Sequence, residues 1–134
     1  MFKKVSHIAV AVNSIEKARE RFDLLFGKPS GVETVESQKV KVCFYEVGGV
    51  RIELVQPTSE DSAVGKFLAS RGEGIHHIAF EVEGIQTVLD RLGEMRFELI
   101  DKKPRVGAEG RHVAFLHPAS THKVLIELTE EKKG

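Results

Sequence analysis

Residues 6–15 read SHIAVAVNSI, and residues 76–85 read HHIAFEVEGI. Laid over each other with a constant shift of seventy, they share His, Ile, Ala, Val and the final Ile. A repeat of this kind decides which folds are open to the chain. Each copy alternates as a strand does and then passes into a helical period. After the first copy, Ile15, Ala18, Phe22, Leu25 and Phe26 fall on one face, Asn13 and Glu16 read as the N-terminal capping pair, and Gly27 closes the helix. After the second, Ile85, Val88, Leu89 and Leu92 repeat the stripe, and Gly93 closes it.

The halves also end alike. RIELVQP at 51–57 matches LIELTEE at 125–131, and the strand-like runs VKVCFYEV (40–47) and HVAFLH (112–117) precede them. The order strand, helix, about three strands therefore occurs twice. The chain is predicted to be α+β, one domain of two βαβββ modules at 4–57 and 75–130. The connector 58–74 carries one short helix around Val64 to Ala69, and the charged tail EEKKG is predicted to fray.

Strand alternation then sorts the polar residues. Ile8, Val10 and Val12, like Ile78, Phe80 and Val82, make apolar faces suited to packing on each module's own helix. His7 and His77 point the other way, beside the small Ala9, Ala11 and Ala79. In RIELV and LIELT the same logic turns Glu53 and Glu127 away from the helix. Each module thus offers one imidazole and one carboxylate on its open face. If the modules pair about a pseudo-twofold axis, His7, Glu53, His77 and Glu127 converge. Two histidines and two carboxylates suit a divalent cobalt, manganese, nickel, iron or zinc ion, with positions left for water or substrate. Taken singly, such residues are more often hydrogen-bonded edge histidines or solvent-facing glutamates. Their recurrence at matched places is what favours a site.

Composition narrows the partners. Lys plus Arg and Asp plus Glu each number 20, so no broad basic surface for nucleic acid is suggested. No apolar run approaches a membrane span, and the short MFKKVSHIAVAV run reads as a mature strand, not a leader. The single Cys43 allows no internal disulfide, which points to a reducing cytoplasm. Cys43 itself reads as packing, and His117 before Pro118 as turn chemistry. His76, opposite in face to His77, reads as a locally hydrogen-bonded strand-start residue. Lys39, Lys41, Lys102, Lys103, Arg105 and Arg111 read mainly as solvated charges, and the glycine-rich PRVGAEGR (104–111) as a hairpin connection.

SHIAVAV, IELVQPTSEDSAVGKFL, RGEGIHHIAFEV and HPASTHKVLIEL together resemble the vicinal oxygen chelate superfamily, and within it the methylmalonyl-CoA epimerases, over about residues 4–130. The resemblance implies a cupped eight-stranded mixed sheet, a homodimer, and a small acyl-CoA substrate. It also implies a metal, cobalt above all with Mn²⁺, Ni²⁺ or Zn²⁺ as alternatives, held by His7, Glu53, His77 and Glu127. Glu127 matches a family residue proposed for proton transfer as well as metal binding, and Glu53 is the candidate second base. Some epimerases carry a glutamate where this chain has Val42. The rivals are a lactoylglutathione lyase or an extradiol dioxygenase on the same scaffold, and a metal-free small-molecule binder.

Overall fold

A computed structural model describes residues 1–131. The expected tail fraying at Lys132 to Gly134 lies outside the described residues. Glu130 is ordered at a strand end instead.

Eight strands and three helices follow the predicted order. The first module runs β1 (Lys4–Ala11), α1 (Ile15–Phe26), β2 (Gly31–Val35), β3 (Val40–Val47) and β4 (Val50–Pro57). Helix α2 (Ala63–Arg71) occupies the connector. The second module runs β5 (Gly74–Glu81), α3 (Ile85–Glu94), β6 (Arg105–Val106), β7 (His112–Leu116) and β8 (Ile126–Glu130). The α+β class and the two βαβββ modules are as the repeat predicted.

The chain divides into two compact units, His7–His76 and a second comprising Met1–Ser6 with the residues from His77 onward. In the first, the strand order is β2-β3-β4-β1, antiparallel except for the parallel β1–β4 pair. Val12, Ile15, Cys43, Tyr45 and Leu54 form its core, with Val10, Ala18, Phe22, Phe26 and Ile52 packed against them. In the second, the order is β5-β8-β7-β6, with β5–β8 parallel. Its core joins Val82, Ile85, Val88, Leu89 and Leu92 to Ala114, Leu116 and Leu128. The first residues of the chain belong here because Lys3 N–H donates to the Glu81 carbonyl (2.9 Å) and Phe2 stacks on Phe80.

Helix entry is set by contacts far apart in sequence. Ser14, not Asn13, is the N-cap of α1, its hydroxyl accepting from Lys17 N–H at 3.2 Å. Asn13 instead donates its backbone N–H to Glu73. The Ile15 N–H is taken by Gln56 Oε1 at 2.8 Å, from the end of β4. At the matched place in the second unit, Glu130 accepts from Gly84 and Ile85 at the start of α3. Both modules thus satisfy orphan helix donors with a terminal-strand side chain, and the negative Glu130 also suits the helix dipole. Two other details differ from the sequence reading. Leu25 is 72% exposed, because the packed stripe of α1 ends at Phe22 and Phe26. Gly93 lies inside α3, which continues to Glu94 before Met95 caps it.

Candidate metal centre

The first half-site grows from the pairing of β1 with β4. The parallel register sets Ala9 opposite Glu53, and the antiparallel β3 sets Phe44 on the other side of Glu53. Leu54 fills the helix-side core, so alternation turns Glu53 to the opposite face. His7 and Glu53 are both buried, and His7 Nδ1 lies 3.4 Å from Glu53 Oε2.

The second half-site repeats this construction. Ala79 lies opposite Glu127 on one side and Phe115 on the other. Leu128 packs under α3, turning Glu127 away from it. His77 Nε2 lies 3.6 Å from Glu127 Oε1, with both residues buried, and the His77 ring meets Phe115 edge-on at 5.2 Å.

These distances bear on what the pairs can hold. Both exceed the ~2.7–3.2 Å of an N–H···O hydrogen bond. They are close to the ~3.3 Å separating two donors that each sit ~2.05 Å from a tetrahedral dication. A carboxylate with 3% or less of its surface exposed is costly unless cations or hydrogen bonds compensate it. The donor types, burial and spacing of each half-site therefore fit a divalent metal ligand pair.

Residues 6–115 match the family model of the glyoxalase/bleomycin resistance protein/dioxygenase superfamily. The chain belongs to this superfamily. It is 42% identical over 130 residues to the uncharacterized protein YqjC of Bacillus subtilis (strain 168), covering 96% of this chain and 93% of that protein. It is 35% identical to an ethylmalonyl-CoA/methylmalonyl-CoA epimerase of Cereibacter sphaeroides, covering 97% and 99%. Among solved structures, a Streptomyces coelicolor methylmalonyl-CoA epimerase variant in complex with 2-nitronate-propionyl-CoA superposes with a TM-score of 0.94. That match has 31% identity and covers 99% of this chain and 97% of that one.

Against this superfamily background, the other polar residues divide clearly. His76 leaves the His77 face and meets the Phe67 ring of α2 edge-on at 5.0 Å. His117 accepts from Ala119 N–H through Nδ1, the turn chemistry expected of it. Cys43 is buried, and desolvation pushes its thiol above its ordinary range, as packing and not a nucleophile requires. Val42 is buried on β3 opposite Val55, one row along from Glu53. The 104–111 segment forms the β6–β7 hairpin.

Arginines are where the sequence reading missed the site. Arg51 is buried, its Nη2 sits 3.1 Å from Glu53 Oε2, and its guanidinium lies over the Phe44 ring at 5.1 Å. Arg105, expected to be a solvated charge, lies over the Phe115 ring at 5.6 Å and pairs with Asp101. The signal for Arg51 was present in the repeat. It stands two residues before Glu53, hence on the same strand face, where the other half has Leu125.

Proposed function

We propose that this chain is a metal-dependent epimerase interconverting (2R)- and (2S)-methylmalonyl-CoA by proton transfer at C2. In this reading the two modules pair as one domain into a cupped eight-stranded sheet. His7, Glu53, His77 and Glu127 then share one divalent cation, cobalt being the first candidate. The observation that carries the reading is the duplicated half-site: a buried imidazole and carboxylate in each module, flanked by the same alanine and phenylalanine. Full-length similarity to acyl-CoA epimerases supports the substrate class.

A divalent cation bound there supplies Lewis-acid polarisation of the substrate's carbonyl oxygens. The remaining work falls to the chain. His7 and His77 hold their half-sites through neutral ring nitrogens. Ala9 and Ala79 keep the space beside the carboxylates clear for the acyl group. Glu127 takes the C2 proton: the C–H bond breaks, its electron pair moves to the thioester oxygen, and a planar enolate results. A proton returns to C2 from the opposite face, drawn from water through Glu53 as the candidate second base, while the proton on Glu127 passes to solvent; Val42 offers no such relay. The buried surroundings strengthen every charge interaction that grows in the transition state. The single cysteine fits a cytoplasmic enzyme, and a homodimer is the assembly the resemblance implies.

The test is isotope exchange. The protein incubated with methylmalonyl-CoA in D₂O should lose the C2 proton signal faster with added Co²⁺ than after chelation. No metal-dependent exchange above the uncatalysed rate would remove the reading.

A further inference from the structure

The two halves match at every donor position yet differ beside the carboxylates. In the second module Leu125 precedes Glu127 by two residues, and the arginine over Phe115 is spent on Asp101, with 37% of its side chain exposed. In the first module the matched residue is Arg51, whose side chain is 10% exposed and paired with Glu53 at 3.1 Å. Its cross-strand neighbour on β1 is His7. The equivalent place in the other half is filled by leucine, beside a carboxylate that is just as deeply buried. A buried guanidinium is costly to desolvate and is retained where its charge is used.

We propose that Arg51 is a specificity-determining residue that makes the loaded site cationic and so selects an anionic acyl group. This rests on the reading above, that the half-sites share a divalent cation. Two carboxylates, two neutral imidazoles and a dication carry no net charge together. Arg51 adds one positive charge. A site with no net charge would prefer the carboxylate-bearing acyl thioester only through its direct contact with the cation. A site carrying a positive charge favours the carboxylate-bearing one, and favours still more the extra negative charge that develops when C2 loses its proton. The same charge opposes the metal. Arg51 shares the carboxylate of Glu53 and repels the dication, so it weakens cation binding while it strengthens binding of the anionic acyl group. An arginine that served only to support the fold would leave the acyl preference unmoved.

The experiment uses Arg51→Leu, which copies Leu125, and Arg51→Gln, which keeps a hydrogen-bonding group without charge. Arg51→Lys keeps the charge without the planar fork. The first readout is Co²⁺ affinity of the chelator-treated protein by calorimetry. The second is the ratio of affinities of the Co²⁺-saturated protein for methylmalonyl-CoA and propionyl-CoA. These ligands carry the same CoA phosphates, so the ratio isolates the acyl carboxylate. The neutral variants should bind Co²⁺ about tenfold more tightly or better, and the acyl preference should fall by about tenfold or more. Arg51→Lys should stay near wild type in both. If one neutral variant does not fold, the other supplies the comparison. Unchanged or weaker Co²⁺ binding, or an unchanged acyl ratio, in a folded neutral variant would overturn the proposal alone. A wild-type protein that binds no Co²⁺ would overturn this proposal and the underlying reading together.

Discussion

Glu127 is the residue at which stability and function should pull hardest against each other. Only 2% of its surface is exposed, and the neighbouring imidazole of His77 is 3.6 Å away. Replacing a whole buried ion pair by apolar side chains is often neutral or stabilising by about 1–4 kcal/mol, and the partner left behind by Glu127, an imidazole, can stay neutral and so leaves no bare charge. Glu127→Leu, set between Ala79 and Phe115, should gain about 1–3 kcal/mol in the chelator-treated protein. An unfolding entropy of about 2.1 cal/mol/K per residue gives roughly 280 cal/mol/K for 134 residues. Each kcal/mol is then worth about 3.5 °C, so the metal-free Tm should rise by about 4–10 °C.

Cobalt should reverse that ranking. At a free concentration one hundred times Kd, a ligand bound only by the native state adds about 2.7 kcal/mol, which is about 10 °C here. Wild type should show that shift in a calorimetric scan, and Glu127→Leu should show none. Leu128 supplies the control, because it is fully buried on the helix side of the same strand. Leu128→Ala should lose about 2–5 kcal/mol and still respond to Co²⁺. If metal-free Glu127→Leu melts below wild type and keeps the cobalt shift, Glu127 is a structural carboxylate, and the half-site reasoning fails.

Two further outcomes follow from the fold. The Tyr45 hydroxyl donates to Asp23 Oδ1 at 2.5 Å, and burial, reinforced by that bond, pushes its pKa far above the ordinary 10.0. A raised folded value gives stability that is complete below pH 10 and is lost as the unfolded chain begins to ionise above it. The Tm of wild type should therefore fall as the pH rises above 10, and Tyr45→Phe should flatten that fall; equal slopes would refute it. The same hydroxyl, followed by Arg19, holds Asp23 below its ordinary range, so this contribution is complete above the ordinary carboxylate range and is lost progressively as the pH falls from there to that lowered value. At Gly65 in α2, alanine would normally favour a helix by about 1 kcal/mol. Its Cβ would meet the Glu60 carbonyl oxygen at 2.7 Å and that of Ser59 at 2.8 Å, so Gly65→Ala should lower the Tm in a thermal scan, and a rise would refute the clash.

How much of this was legible depended on the range of the interaction. The strands, the helices and the faces of His7, Glu53, His77 and Glu127 follow from periodicity and the repeat, which are local signals. The N-cap of α1 lies one residue beyond the Asn13 that the sequence favours, because two contacts that set the helix entry, Gln56 with Ile15 and Glu73 with Asn13, come from 41 and 60 residues away. Helical spacing places Leu25 on the apolar stripe, but spacing gives a direction and not the width of the surface available to cover it, and the side chain is exposed. Arg51 escaped notice because a charged residue in an alternating strand looks solvated until the aromatic ring beside it, Phe44 on a different strand, is known.

The pattern of match and mismatch between the modules carries a chemical sense. Donors and scaffold are kept in both halves: His7 with His77, Glu53 with Glu127, the Ala9–Phe44 flank with Ala79–Phe115, and the helix-entry contacts of Gln56 with those of Glu130. A cation asks only for donors, so duplicated halves serve it well. The proposed substrate asks for more, because its C2 bears a carboxylate on one side and a thioester on the other, and a site built from two identical halves could not tell them apart. Asymmetry must enter near the carboxylates without touching the donors. Arg51 against Leu125 is a difference of that kind, and so is Val55 against Thr129, a buried hydroxyl two residues beyond Glu127 on the same strand face. On this reasoning, substitutions that make the halves more alike should cost acyl discrimination before they cost metal binding.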